Sequence, residues 1–296
     1  MRKIYISIIS FIAFALSANA EVSQPPFKYP EIPDSLTTLQ DRTTYIMTRF
    51  WDNADMKSLM ADTAKFNRAF ADYASFIPYA NVDSVKSSIN ALTARFKDDP
   101  KNLLKLAKAA EKEMFGPDAE FWADEQYMLF TRPVFVNKKI SSKDKQYFLD
   151  QVKMLNSSQL DATVATIDYT TRHGAKHVLQ EQKSDYFLLY FRNGDCQDCN
   201  MTQLRMETDV AINNLQKAGK FKIIDIYVGT PDDSWKSSVE SLPYEWEAGY
   251  STTVQNLIDV RELPRMYLLD KNYKIIARNL GVNQVLSIAS ELYKQQ

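Results

Sequence analysis

What most limits the fold of this chain is a change in the period of its apolar residues about halfway along it. Through the first half, large apolar residues return every three or four positions, so they share one face of a helix with 3.6 residues per turn. Leu39, Tyr45, Ile46, Met47, Phe50 and Trp51 mark one such segment; Leu59, Met60, Phe66, Phe70, Tyr73 and Ile77, closed by Pro78, mark a second. Val82, Val85, Ile89, Leu92 and Phe96 form a third, and a fourth starts at Pro100 and runs through LLKLAKAAEKEMF to Gly116. Asp118 to Thr131 and Ser141 to Asn156 complete what the spacing predicts, a helical bundle of about 130 residues.

Beyond it the apolar residues arrive in short continuous runs between turn residues, the signature of strands. Thr163 to Thr170 and Lys176 to Leu179 flank His173-Gly174 as a hairpin, and DYFLLYF (185–191) is a buried-type strand bounded by Asn193 and Gly194. Met201 to Ala218 is helical by spacing, with Gly219 at its C-cap. KIIDIYV (222–228) is a second buried strand, Asp232 to Thr252 reads as a helix and loop that forms a rim, and Arg265 to Leu269 and Lys274 to Arg278 are two strands around Asp270-Lys271-Asn272. Gln284 to Tyr293 closes the chain as a helix. Strand, helix and strand in alternation is α/β logic. Glycine follows the same division: of seven, none precedes Gly116, and the other six lie from Gly174 onward. The expected organisation is 1–20, a signal segment; 21–158, an all-α domain; and 159–296, an α/β domain.

The first twenty residues have the three parts of a secretory signal: Arg2 and Lys3, an apolar run from Ile4 to Leu16, and the small-x-small site Ala18-Asn19-Ala20. The run is short of the roughly 20 residues of a membrane span, so cleavage is expected in preference to an uncleaved anchor. No cysteine stands near the site, which argues against a lipoprotein. PPFKYPEIP (25–33) is a proline-stiffened lead-in. Loss of Arg2 and Lys3 leaves 34 basic against 37 acidic residues, a net charge of −3, and gives no electrostatic reason to expect nucleic acid or an anionic membrane as partner.

Both cysteines of the chain fall in FRNGDCQDCN, three residues apart. As a staple the pair is weak, because closing a loop of about four residues yields only about 2 kcal/mol. A closed zinc site needs four ligands, and His173 and His177 are the only histidines. Placement favours redox chemistry. Cys196 follows a strand and opens a helix, where unpaired N–H groups and the helix dipole stabilise a thiolate; Cys199, on the same face, is in reach to resolve a mixed disulfide. Staple and metal clip remain the bland alternatives. HGAKH reads as exposed turn histidines, and Trp51, Trp122, Trp235 and Trp246 as core or surface aromatics.

From Thr163 to the C-terminus the chain resembles the thioredoxin-like domain of exported thiol-disulfide oxidoreductases related to TlpA and ResA. The hairpin, FLLYF before Cys-x-x-Cys, and ELPRMYLLDKNYKIIARNL after it carry the likeness, while FKYPEIPDSLTTLQDRTTYIMTRFWDN resembles the opening of a helical domain of uncharacterised function that precedes it in Bacteroidota envelope proteins. The resemblance implies a thioredoxin-like α/β domain, a central mixed sheet flanked by helices, behind an all-α domain. It implies Cys196 as attacking sulfur, Cys199 as resolving sulfur, Pro264 as a cis-proline beside them, and Leu263 as a backbone contact for substrate. It also implies a periplasmic location, no cofactor besides the Cys196–Cys199 disulfide, envelope protein thiols and disulfides as partners, and a membrane-bound thiol carrier as electron source. Two departures stand out: Tyr190 occupies the position of a buried carboxylate found in many thioredoxins, and Asp195 and Asp198 bracket the cysteines. Asp195 reads as the helix N-cap, and both acids oppose a thiolate, which points to a reductase or isomerase. The rival reading is a non-enzymatic envelope binding protein that keeps the fold as an interaction module.

Overall fold

The computed structural model describes residues 24–194 and 196–295; the expected signal segment 1–20, and Asp195, lie outside the described residues. The chain divides into two compact units, 1–85 and 86–296. The first holds helices α1 (Leu39–Arg49), α2 (Met56–Ala61) and α3 (Thr63–Ala74), and the first residues of α4 (Val82–Ala94). The expected helix over 59–77 is broken because the Asp62 carboxylate accepts the Lys65 amide and starts α3 afresh. An aromatic core forms around Phe50, whose ring lies 5.5 Å from Tyr73 and 4.8 Å from Trp51. Phe27 of the proline-stiffened lead-in meets Phe50 edge-on at 5.5 Å and Tyr29 packs on it at a tilt at 4.7 Å, so the extended segment is held by its rings.

In the second unit, α5 (Pro100–Met114), α6 (Asp124–Val136) and α7 (Ser142–Ser157) pack in sequence, α5 on α6 and α6 on α7. α6 starts later than the spacing predicts, because residues 116–123 form a turn closed by the Ala123 amide on the Met114 carbonyl and the Trp122 indole N–H on that of Gly116. From Asp168 on, the chain builds one seven-stranded sheet. Its strands are β1 (Asp168–Thr171), β2 (Lys176–Val178), β3 (Tyr186–Arg192), β4 (Phe221–Val228), β5 (Glu247–Ser251), β6 (Arg265–Asp270) and β7 (Ile275–Arg278), in the order β2-β1-β5-β4-β3-β6-β7. β3, β4 and β5 run parallel; the remaining pairs are antiparallel.

The strand alternation sorts the two faces. Leu188, Tyr190, Ile223, Tyr227, Met266 and Leu268 face helices α8 (Gln197–Glu207), α9 (Val210–Lys217), α10 (Asp233–Val239) and α11 (Val282–Lys294), represented in that core by Met206, Ile212, Trp235 and Val285. Phe187, Leu189, Phe191, Ile224 and Ile226 face the other way, onto Val254, Ile258 and Val260. The unbroken apolar runs of β3 and β4 follow from this, since each strand is covered on both faces.

Two expectations change here. The helix expected over 201–218 is two helices, split where the Asp209 carboxylate caps the Ile212 amide at 2.9 Å. The segment 232–252, read as helix and loop, contributes α10, which lies against the Gly194 loop, and then β5, a strand inside the sheet with β4 on one side and β1 on the other, so its second part is core and not loop. Gly249 admits that packing. A Cβ there would stand 2.6 Å from the Tyr169 ring and 2.7 Å from the Thr170 carbonyl oxygen.

Candidate active site

Where β3 ends, the chain turns through Asn193 and Gly194 and enters α8 at Cys196. The turn is tied down: the Gly194 amide donates to the Tyr227 hydroxyl at 3.1 Å, and that hydroxyl donates to Asp232 Oδ1 at 2.8 Å. A side chain at 194 would collide with Ser234, 2.8 Å from the added carbon, so glycine lets the loop lie against α10.

Cys196, not Asp195, is the N-cap of α8, with extended backbone at φ −85° and ψ 96° and no side-chain capping hydrogen bond. The helix starts one residue later than expected because the Cys196 carbonyl already accepts the Cys199 amide, at 3.3 Å. The Cys196 sulfur thus occupies the place of a capping oxygen, beside the first-turn N–H groups that favour an anion. Cys199 falls on the inward stripe of α8 with Thr202 and Met206. The two sulfurs are bonded at 2.01 Å, with Cα atoms 5.3 Å apart. Cys199 is 2% exposed and Cys196 only partly buried, so the first cysteine is the more accessible of the two. Asp198 lies in the first turn with its side chain exposed.

Beneath the disulfide lies a polar layer that the sequence reading missed. Tyr190, fully buried on β3, donates its hydroxyl to the Cys199 carbonyl at 2.7 Å. Burial drives its phenol well above the ordinary range; Asp225 adds to that and Arg192 opposes it, so the group stays a protonated donor. Asp225, opposite Tyr190 in the β3–β4 register, has no exposed surface. Arg192 Nε donates to both its oxygens, at 2.9 and 2.8 Å, and Arg192 Nη1 to Ser238 Oγ at 3.0 Å. Burial pushes the Asp225 carboxyl up, with Arg192 and then Arg172 pulling against it. The Arg192 guanidinium also sits 5.7 Å from the Tyr227 ring and 5.6 Å from Trp235. The signal was present: one acid inside KIIDIYV, one base ending FLLYFR.

The third element is the chain entering β6. Phe191 pairs with Arg265, so Leu263-Pro264 before β6 and the Cys196 loop after β3 emerge at the same end of neighbouring strands, about 5 Å apart at the sheet. Leu263 and Cys196 pack against one core cluster. The Leu263–Pro264 peptide bond is cis.

The histidines take no part. His173 is exposed; His177 lies on β2, the second arm of the hairpin, with Nδ1 3.3 Å from Glu247 Oε1 and its ring 6.0 Å from Tyr169. Trp51, Trp235 and Trp246 are buried, and Trp122 faces Arg261. Among the described residues no group of three or more His, Cys, Asp or Glu side chains is placed to hold a metal ion.

Comparison with known proteins agrees with this architecture. Residues 12–158 match a domain of unknown function, DUF5106. The chain is similar to a thioredoxin-like protein from Bacteroides caccae, 21% identical, over 90% of this chain and 98% of that one, with a TM-score of 0.60. Shorter likenesses are to the C-terminal domain of an uncharacterised protein from Bacteroides fragilis (28% identical, 45% of this chain, 99% of that one, TM-score 0.43) and to the thioredoxin domain of a thiol-disulfide oxidoreductase from Bacteroides vulgatus (19%, 46%, 98% and 0.40). No curated protein matches. The chain therefore joins a helical segment of the DUF5106 type to a thioredoxin-like fold that carries a Cys-x-x-Cys pair.

Proposed function

We propose that this protein is a thiol-disulfide oxidoreductase that exchanges disulfides with proteins of the bacterial envelope through Cys196 and Cys199. The observation that carries the reading is the asymmetry of the pair: a partly buried cysteine at a helix N-cap, bonded to a fully buried one on the same helix. In the reduced protein, the Cys196 thiolate attacks one sulfur of a substrate disulfide. The substrate S–S bond breaks, its departing thiolate takes up a proton, and Cys196 is left in a mixed disulfide. Cys199, losing its proton, attacks the Cys196 sulfur and breaks the mixed disulfide, and the second substrate thiolate is protonated as it leaves. The substrate gains two electrons from the pair and two protons, one from Cys199 and one from solvent, where ionisation of Cys196 had released it, so a new round needs a thiol donor. A membrane-bound thiol carrier fills that role outside the cytoplasm, where the N-terminal signal pattern directs the chain; the scheme requires no dissociable cofactor.

Leu263 and Pro264 enter β6 at the end of the sheet where β3 leads to Cys196, so an extended substrate would pair with the Leu263 backbone while its disulfide meets Cys196. Asp198, in the first turn of α8, and Asp195, the sequence neighbour of Cys196, are acids that would oppose a thiolate and offset part of the dipole, which favours a reductase or isomerase over a strong oxidant.

The test is reduction of insulin with dithiothreitol as electron source, by wild type and by Cys196→Ser. Activity in the wild type that disappears in the variant is the expected result. A wild type no faster than dithiothreitol alone would replace the enzyme with a binding module of thioredoxin fold.

A further inference from the structure

Arg261 stands two residues before Leu263, and its guanidinium is engaged on every side. Nε donates to Asp259 Oδ1 at 2.8 Å, and Nη2 to Asp259 Oδ2 at 3.1 Å. Nη2 also donates to Oδ1 of Asp124, the first residue of α6, at 2.8 Å, and Nη1 to the carbonyl of Phe115, just past α5, at 3.1 Å. The cation lies 4.6 Å from the Phe115 ring and 4.9 Å from Trp122. Its side chain is 13% exposed.

The neighbouring backbone is fixed as firmly. The Asp259 amide donates to Ser158 Oγ at 2.7 Å, and its carbonyl accepts the Tyr267 hydroxyl at 2.6 Å. Arg265 is held by its pairing with Phe191. Between these anchors remain Glu262, Leu263 and Pro264, the residues level with Cys196. Their path is therefore set at one end by the sheet and at the other by Arg261 on the ends of two helices outside the sheet.

We infer that Arg261 is a positioning residue, through which α5 and α6 hold the Leu263–Pro264 segment at the spacing from Cys196 that a disulfide-bearing polypeptide needs. The inference rests on the exchange function proposed for Cys196 and Cys199. It assigns to the helical part of the chain a share in substrate selection. A polypeptide must lie along Leu263 while its sulfur reaches Cys196, and so depends on the spacing. A small disulfide needs only the Cys196 sulfur. Lysine cannot replace the arginine, because an ammonium lacks the planar fork that reaches Asp259, Asp124 and Phe115 at once.

The experiment compares full-length wild type, Asp124→Ala and Arg261→Lys on two substrates, insulin and the small disulfide 5,5′-dithiobis(2-nitrobenzoate), with melting curves recorded for each. Misplacement by about 1 Å can cost on the order of a hundredfold; removal of one arm of the clamp shifts the segment less. The expected result is a fall of about tenfold in the ratio of kcat/KM for insulin to that for the small disulfide, carried by KM, in both variants. A purely structural role would lower the melting temperature and both rates together and leave the ratio unchanged; that overturns the inference while the exchange reading stands. A wild type inactive on both substrates removes the exchange reading, and the inference with it.

Discussion

The buried pair beneath the disulfide gives the sharpest test of how this site is held. Arg192 is 4% exposed and Asp225 not at all, and the Arg192 Nε–H is shared between both carboxylate oxygens at short distance. Replacing Asp225 by leucine leaves the Arg192 guanidinium with only Ser238 Oγ and the rings of Tyr227 and Trp235. Stripping one partner from a buried ion pair costs about 3–5 kcal/mol, because the remaining charge can neither reach water nor find a counter-ion. Replacing both, as Arg192→Met with Asp225→Leu, removes the two desolvation penalties together and is expected to be neutral or stabilising by up to about 4 kcal/mol. The four proteins form a double-mutant cycle with a coupling of at least about 6 kcal/mol, the two single costs with a neutral double variant. Urea unfolding followed by tryptophan emission reads it, with Trp235 beside the pair as reporter. With a slope of about 3 kcal/mol/M, each single variant should unfold about 1–1.7 M earlier than wild type, and the double variant near it. A single variant that costs less than about 1 kcal/mol, or a double variant as weak as the singles, would refute the reasoning, for it would mean that water already reaches the pair.

Three further outcomes follow from the same geometry. Tyr190→Phe removes the side-chain hydrogen bond to the Cys199 carbonyl, which lies inside α8, and should lower stability by about 0.5–1.5 kcal/mol in the same urea assay; a value near zero would show that the bond adds nothing to the fold. Gly249→Ala forces a carbon to within 2.7 Å of the Thr170 backbone and should cost about 1–3 kcal/mol, with amide exchange quickening first in β1 and β5; unchanged exchange there would contradict the close packing. The Asp259 carboxyl is held below its ordinary value: burial works to raise it, but Arg261 and then Arg265 outweigh burial. A carboxyl depressed in the folded state stabilises it fully above the unfolded value of about 3.9, and that contribution is lost as pH falls through the lower folded value. Asp259→Asn should therefore flatten the acid side of the stability curve below about pH 4 and leave the alkaline side parallel to wild type, as urea midpoints across pH will show.

Much of this site is local in sequence, and that part was legible. A continuous apolar run, two turn residues and a helical stripe place Cys196 at a strand-to-helix junction, since each signal acts over a few neighbouring residues. What the sequence hid depends on partners far apart. EAGYS carries a glycine and follows Pro243, so its local preference is for loop; it becomes β5 only because Ile224 to Val228 lie alongside and Tyr169 fills the space that Gly249 leaves. Asp225 stands in an apolar strand where an acid has no local reason to be, and its reason, Arg192, is 33 residues away. Arg261 is the extreme case. In DVRELPR it reads as an ordinary surface arginine, yet its partners are Asp124, 137 residues earlier, and Phe115, 146 residues earlier. The sulfurs could be found by pattern because their chemistry needs only a strand end and a helix start. The groups that hold the surrounding segments at fixed spacing cannot be found that way, since a charge in an apolar run reports that it has a partner without saying which.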